Sequence, residues 1–255
     1  MSAGFRLRRL AVCASTEREL ERWLRQEEPP ESWASAAGSW GRLVVARRQR
    51  FGQGQRGRPW QSPPGGLWLS AAFPWPADPA GCAPAPLAMA LGLVQELEQI
   101  GGPGSRLAVA IKWPNDLVVN GRKLAGLLPR LRLRAGRVRW AQLGLGLNGV
   151  NRVPAGAVAL AELLQGASGR GGARRVDPRA RPRALEPLAQ RAILRSQALA
   201  SQPGRVRAEV ERRLWQPPQG IVHAGVCWRI QGLADDGGLR VLGADGCAAV
   251  WHRAF

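Results

Sequence analysis

The sequence predicts an α+β fold, and three observations carry that prediction. Two hairpin signatures with two-residue turns sit in the middle of the chain, amphipathic helical stretches lie on either side of them, and the C-terminus is a run of short apolar segments separated by Asp-Gly turns. In chain order, Thr16 and Glu19 form a capping-box pattern ahead of Leu20, Trp23 and Leu24 at helical spacing, which predicts a helix over 16–26. Residues 27–41 read as loop, LVVA at 43–46 as a strand, and LWLSAAF at 67–73 as the next strand. From Pro84 to Ile100, Leu87, Leu91, Val94 and Leu97 share one face of a helix that Gly101-Gly102 should stop. LAVAI at 107–111 is a strand leading into Lys112-Trp113-Pro114-Asn115-Asp116, followed by a hairpin that turns at Asn120-Gly121. A second hairpin turns at Ala135-Gly136, with Leu131, Leu133, Val138 and Trp140 alternating against arginines. Past Pro154 the pattern is helical, near 159–164 and over 184–200 and 205–215, until Pro217-Pro218. The remaining segment turns at Asp236-Gly237 and Asp245-Gly246, a small all-β unit that needs the main domain to dock on.

The chain has 255 residues, 45% of them apolar and 22% charged, which is enough for one substantial core. No apolar run approaches the roughly 20 residues of a membrane span, and the four cysteines form no CxxC pair, so the sequence predicts a cytoplasmic protein without a zinc site or a disulfide framework. The formal charge of +19 makes nucleic acid, an acidic protein or a phosphorylated small molecule the partners to test. The arginines are spread along the chain except for a denser segment from Arg170 to Arg183, which weakens the nucleic-acid reading and favours a coding bias toward Arg, Ala, Gly and Pro. Against 35 arginines there are two lysines, Lys112 and Lys123. A compact ammonium and a rigid guanidinium fork are poor substitutes at a close-contact site, so these two positions stand out.

Three stretches carry candidate chemistry, each with a plainer reading beside it. Residues 50–66, RFGQGQRGRPWQSPPGG, form a glycine- and arginine-rich loop that loses much backbone freedom on ordering, which a ligand would compensate; the plainer reading is a flexible surface loop. Lys123 lies just past the Asn-Gly turn in KLAGLL, where alternation pairs it with Ala125 on one face and sets Leu124 and Gly126 on the other. It either places charge beside a carboxylate or phosphate, or discourages edge-strand aggregation. Pro114 ends the strand before Asn115 and Asp116, whose side chains suit a nucleotide and its Mg²⁺, or simply make a turn.

Taken together and in order, FGQGQRGRPWQSPPGGLWLS, KWPNDLVVNGRKLAG and GLGLNGVN resemble the biotin protein ligase family, over most of residues 10–151 and more loosely in the C-terminal β segment. The resemblance implies a mixed β-sheet flanked by helices, like the catalytic domains of class II aminoacyl-tRNA synthetases and lipoate ligases, over 1–216, and a small C-terminal β-barrel over 217–255. It implies a two-step reaction: biotin and ATP form biotinyl-5'-AMP, and a lysine of the biotin carboxyl carrier protein of acetyl-CoA carboxylase then takes the biotinyl group. It gives Ser15, Thr16 and Gln49 to the biotin ring and counts Glu17 among the cofactor-binding residues. Gly52, Gln53, Gly54, Gln55 and Arg56 would fold over biotin and its adenylate, with Arg58 and Trp60 toward the nucleotide and Arg58 joining Lys123 in catalysis. Lys123 would approach the biotin carboxylate, and Gly126 would be among the cofactor-binding residues. Lys112, Asn115, Asp116 and Asn148 would serve ATP, with Asp116 on Mg²⁺.

The chain departs from the family pattern in two places. Gly52-Gln53-Gly54-Gln55 stands where GRGR is common, removing two loop cations, and Glu17 stands where asparagine is usual. The short stretch before Ser15 predicts a ligase without the winged-helix domain of some members, hence no nucleic-acid partner, and the lack of a long apolar run predicts no membrane; a homodimer is one of the oligomeric states the family uses. A lipoate-type ligase of the same fold and an arginine-rich nucleic-acid-binding protein are the competing functions.

Overall fold

The computed structural model describes residues 4–29, 33, 41–76, 78, 81–100, 107–165 and 176–252. The predicted helix stop at Gly101-Gly102, most of the 27–41 loop and the 168–175 part of the arginine-rich segment lie outside these residues. The first half runs β1 (Phe5–Cys13), α1 (Thr16–Gln26), β2 (Gly41–Gln49), β3 (Leu67–Phe73), α2 (Ala85–Ile100), β4 (Ala110–Lys112), β5 (Asp116–Val119), β6 (Arg122–Arg134) and β7 (Arg137–Leu147). The second half adds α3 (Leu160–Gln165), α4 (Pro182–Ala200), α5 (Pro203–Glu211), β8 (Ile221–His223), β9 (Val226–Leu233), β10 (Leu239–Gly243) and β11 (Ala248–Trp251). Among the described residues no helix is long and apolar enough to cross a membrane.

Seven strands form one mixed sheet in the order β1-β2-β3-β7-β6-β5-β4. Among the described strands of this sheet, only β1 and β2 pair in parallel, joined through α1; the other ladders are antiparallel. The central β3 is buried along its whole length because both faces of the sheet are covered. On one face, Leu43, Leu67, Leu69, Ala71 and Phe73 pack with α2 and α4; on the other, Val44 and Ala72 meet Leu20, Trp23 and Leu24 of α1. Both hairpin turns fall where the sequence places them, with positive φ at Asn120 and Gly121 (51° and 74°) and at Ala135 and Gly136 (49° and 73°), as tight two-residue turns require.

Four local features differ from the sequence reading. Strand β1 is not predicted, because arginines interrupt its apolar residues; it forms as an edge strand whose Phe5, Leu7 and Leu10 reach the two cores. Ser15, rather than Thr16, caps α1, its Oγ accepting from the Glu17 amide at 3.2 Å, because the Thr16 hydroxyl is engaged elsewhere. The strand read over 107–111 is displaced to Ala110–Lys112. The last predicted helix stops at Glu211, since the Trp215 amide donates to Ile111 O at 2.9 Å and the Ile111 amide to Arg213 O at 2.7 Å, drawing the chain alongside β4.

The C-terminal strands pair as β11-β10-β9-β8, all antiparallel, and no described ladder joins β11 back to β8. This sheet docks on the main core through Leu233, Leu239 and Val241. Trp113 Nε1 donates to Gly237 O at 3.0 Å and the Leu233 amide to Glu211 Oε1 at 2.7 Å, which ties the sheet to the β4–β5 turn and to α5.

Helices α2 and α4 pack closely at Gly92, where an added Cβ would lie 2.7 Å from Ala192 O. One turn on, the Glu96 carboxylate, 2% exposed, accepts from Arg191 Nε at 2.8 Å and from Arg195 Nη2 at 2.7 Å. Glu96→Ala should lower the unfolding free energy by about 2 kcal/mol, read from the urea midpoint. That is less than a fully buried pair would cost, because the stranded guanidinium groups are 57% and 38% exposed and can turn to water. Arg191→Ala alone should cost under about 1 kcal/mol, the second arginine keeping the carboxylate paired; equal losses in the two variants would argue against this account.

Candidate active site

A cleft of about 410 Å³ opens where α1 begins, β2 ends and the Gln53–Gln61 loop crosses β6 and β7. Its floor is built by glycines. Gly126 and Gly146 are directly opposite partners on β6 and β7, and the Trp60 indole lies on them. A Cβ on Gly146 would stand 2.4 Å from the Trp60 ring, and one on Gly126 would stand 3.0 Å from the ring and 3.2 Å from Lys123 Cε. The alternation expected for KLAGLL therefore does not hold. The β5–β6 ladder slips at Leu117/Val118, where Ala125 opposes Leu117 but Lys123 opposes Val118, so Leu124 is an extra residue. This bulge puts Lys123 and Gly126 together at the cleft, while Leu124 and Ala125 are fully buried.

One region of the cleft is neutral and rich in hydrogen-bonding groups. Gln49 Oε1 accepts from the Thr16 amide at 2.7 Å and from Thr16 Oγ1 at 3.0 Å, while Gln49 Nε2 donates to Ser62 Oγ at 2.8 Å. Thr16 Oγ1 is 2.8 Å from Ser70 Oγ, and Ser15, Thr16, Ser62 and Ser70 are all buried. Glu17 lines the same region, with its carboxylate 2.5 Å from Arg130 Nη1, so the departure from asparagine comes with a cation that neutralises it. Ser70 faces Gly144 across the β3–β7 ladder, which fixes this region at the Gly144 level of β7.

The charged region lies further along β7, past Leu69, Leu127 and Leu145, which line the middle. Lys123 Nζ is 2.7 Å from Asp116 Oδ2 and 4.9 Å from the Trp60 ring centroid, so the ammonium is held between a carboxylate and an indole face. Asn115, 8% exposed, donates from Nδ2 to Leu127 O and accepts at its own carbonyl from the Leu127 amide at 2.9 Å. Asn148 donates to Lys123 O at 3.3 Å and is itself oriented by Asn151 Nδ2, 3.1 Å from its Oδ1. Lys112 lines the cleft with its Nζ 5.2 Å from the Trp215 ring.

The loop over the cleft is a compact hairpin. Gly54 N donates to Arg58 O and Trp60 N to Gly52 O, each at 2.8 Å, around a single 3₁₀ turn at Gln55–Gly57. The chain itself thus compensates part of the ordering cost that the sequence reading assigns to a ligand. Of the residues predicted for the site, all but two line the cleft. Gly52 packs behind it, where a Cβ would be 2.7 Å from Trp60 O, and Arg56 sits at the exposed tip in the left-handed region, φ 56°. The sequence reading passes over Ser70, Gly144, Gly146 and Asn151; the alternation of Gly and Leu in GLGLNGVN is the signal that could have flagged the two glycines.

Two groups bear on the chemistry available. Burial pushes the Cys13 thiol up to about 11, with Glu19 adding to the effect, so this cysteine stays protonated behind the cleft and offers no nucleophile. Among the described residues no group of three His, Cys, Asp or Glu side chains could cage a metal ion. Mg²⁺ needs only one or two carboxylates when phosphates supply the other oxygens, and Asp116, with one oxygen on Lys123, keeps a second for that purpose.

Residues 24–148 match the model of the biotin/lipoate A/B protein ligase family. The bifunctional ligase/repressor BirA of Bacillus subtilis is 38% identical over 116 residues, 45% of this chain and 34% of that protein. The biotin–[acetyl-CoA-carboxylase] ligase of Paracoccus denitrificans is 36% identical over 115 residues, 45% of this chain and 47% of that protein. The matched stretch thus spans less than half the length of either relative. In three dimensions the chain is similar to the biotin protein ligase of Aquifex aeolicus in complex with biotin and ATP, with a TM-score of 0.64 at 21% identity, covering 96% of this chain and 94% of the other. It is likewise similar to the Leishmania major enzyme in complex with biotinyl-5-AMP, with a TM-score of 0.60 at 19% identity over 97% and 98% of the two chains. These likenesses establish the catalytic-domain fold.

Proposed function

We propose, from the premise that residues 24–148 belong to the biotin/lipoate A/B protein ligase family, that the chain is an ATP-dependent biotin protein ligase. Its acceptor is the biotin carboxyl carrier protein of acetyl-CoA carboxylase, as the name of the Paracoccus denitrificans relative suggests for that protein. The observation that carries the reading is the order of chemistry along β7. A neutral donor–acceptor cluster at Thr16, Gln49 and Ser70 gives way to an apolar middle and then to a held ammonium at Lys123. That sequence mirrors a cyclic urea, an aliphatic chain and a terminal carboxylate.

In the first step a biotin carboxylate oxygen attacks the α-phosphorus of ATP, the bond to the bridging oxygen breaks, and pyrophosphate leaves. Lys123 draws the carboxylate out of water and orients it, while Arg58, at the loop edge of the cleft, neutralises charge building on phosphate oxygens. Asn115, Asp116, Asn148 and Lys112 form the nucleotide side, with Asp116 contributing one oxygen to the Mg²⁺ that ATP carries. In the second step a neutral lysine amine of the carrier attacks the acyl carbon, AMP departs, and the amine loses its proton. Gln53 and Gln55 hold the intermediate by hydrogen bonds without charge, and the Trp60 indole, resting on Gly126 and Gly146, forms a wall beside it.

The same cluster separates biotin from lipoate. A dithiolane ring has neither N–H nor C=O and would leave Thr16, Gln49 and Ser70 facing apolar atoms, a mismatch worth about 10² or more in discrimination. Biotin should therefore drive ATP–pyrophosphate exchange, and lipoate should drive it at least about 10²-fold less efficiently. Exchange supported equally by both, or by lipoate alone, overturns the assignment.

A further inference from the structure

From Ser32 to Ala77 the sequence contains no aspartate or glutamate, yet it contains six arginines. Arg42, at the start of β2, is served by Glu27, which reaches it from the end of α1. Arg48 and Arg50, further along the same segment, are not served in this way. Arg48 and Arg50 are exposed, and among the described residues neither meets a carboxylate. Elsewhere on the surface most arginines do meet one, as Arg9 does Glu186, Arg122 does Glu162 and Arg130 does Glu17. At this end of β2, Arg48 and Arg50 therefore leave positive charge uncompensated.

It also has an apolar centre. Phe51 is 63% exposed and Val12 is 48% exposed, unusual values for large apolar side chains on this molecule. They belong to one patch: Val12 is the strand partner of Arg48, the Arg50 amide donates to Cys13 O at 3.0 Å, and the Phe51 amide to Ala14 O at 2.8 Å. None of Val12, Arg48, Arg50 and Phe51 lines the cleft, but Phe51 immediately precedes the hairpin that covers it, and Gln49, between the two arginines, is one of its walls. These side chains do not line the cleft, and through Gln49 and the hairpin they stand at its rim.

We infer that the patch made by Val12, Arg48, Arg50 and Phe51 is the docking surface for the acidic face of the protein whose lysine enters the cleft. This rests on the ligase reading, which requires a macromolecular second substrate. The partner chemistry follows from the patch: carboxylates set around an apolar spot that takes the Phe51 ring, the two arginines steering the encounter over a distance that salt shortens. A rim of this composition acts on capture of the carrier and leaves adenylation alone.

The test compares wild type with R48E/R50E, R48K/R50K and F51S, using a purified biotin carboxyl carrier domain as acceptor. All should support biotin-dependent ATP–pyrophosphate exchange within about twofold of wild type, since none touches the cleft. The charge-reversed variant should lose at least about tenfold in kcat/KM for the carrier at low salt, with the gap closing by about 0.5 M NaCl, where the screening length is a few Å. R48K/R50K should keep most of the wild-type value, and F51S should lose severalfold without a change in salt dependence. An unchanged kcat/KM for the carrier in R48E/R50E and F51S overturns the proposal, as does a defect confined to binding of duplex DNA. Absence of biotin-dependent exchange in the wild-type protein overturns the ligase reading instead, so the two failures are distinct.

Discussion

Lys123→Ala should lower biotin-dependent ATP–pyrophosphate exchange by about 10²–10³-fold, the range expected when one preorganised charge is removed from a site that stabilises a developing anion. The ammonium is not loose in the cleft. Asp116 Oδ2 at 2.7 Å and the Trp60 ring at 4.9 Å hold it, and the Lys123 backbone is pinned on both sides, its amide donating to Gly156 O and its carbonyl accepting from the Val158 amide, each at 2.9 Å. Lys123→Arg should recover less than about a tenth of the activity, because a planar fork with several fixed donors does not occupy the space of a compact ammonium between an indole and a carboxylate. Neither substitution should cost more than about 1 kcal/mol in stability, the two side chains of the pair being 35% and 21% exposed and so partly screened. Exchange kinetics beside a thermal melt separate the two effects. If K123A retains exchange within threefold of wild type, the ammonium has no part in activating the carboxylate. If it loses exchange only in step with a collapse in stability, its part is structural.

How far this site is legible from sequence depends on which forces fix each part. The Asn120-Gly121 and Ala135-Gly136 turns are legible because positive φ at two successive positions selects residues strongly, and the structure has them at 51° and 74° and at 49° and 73°. The strand at LWLSAAF is legible from composition, six apolar residues and a single serine bounded by glycines and proline. The phase of Lys123 is not legible from alternation, since a one-residue bulge at Leu124 reverses every face after it and leaves no local sequence mark. Strand β1 escapes for another reason: an edge strand tolerates arginine on its exposed side, so Arg6, Arg8 and Arg9 hide a pattern carried by Phe5, Leu7 and Leu10. The cap on α1 is decided by competition for one hydroxyl, which only the tertiary position of Gln49 and Ser70 settles. The loop's order likewise depends on the glycine floor, whose two members lie 20 residues apart in sequence and opposite each other in space.

That floor is where a second substitution should act most strongly. Gly146→Val places branched carbon where an added Cβ alone would stand 2.4–2.6 Å from Trp60 ring atoms, inside any sustainable contact. Something must move, and β7 cannot, because it is hydrogen-bonded to β3 on one side and to β6 on the other. The indole is displaced instead, and it takes with it its edge contact with Trp68, centroid separation 6.4 Å, and its contact with Lys123. The Gly52–Trp60 hairpin loses its anchor on the sheet, so the loop should fail in the roles proposed for it, presenting Arg58 to the nucleotide and keeping water from the anhydride. A loss of about 10²-fold in kcat/KM for ATP–pyrophosphate exchange is the scale expected from misplacing a positioning element by an ångström or more. The cost to stability should be smaller, about 1–2 kcal/mol, since Trp60 is only partly buried and the strand pairing survives. A double-mutant cycle isolates the cause. In a Trp60→Ala background the valine finds open space, so Gly146→Val should cost less than about threefold there against about 10²-fold in the parent, a coupling near 2 kcal/mol. Equal losses in both backgrounds would mean that the valine damages the sheet or blocks the ligand directly, and that the indole resting on the paired glycines is not what holds the loop over the cleft.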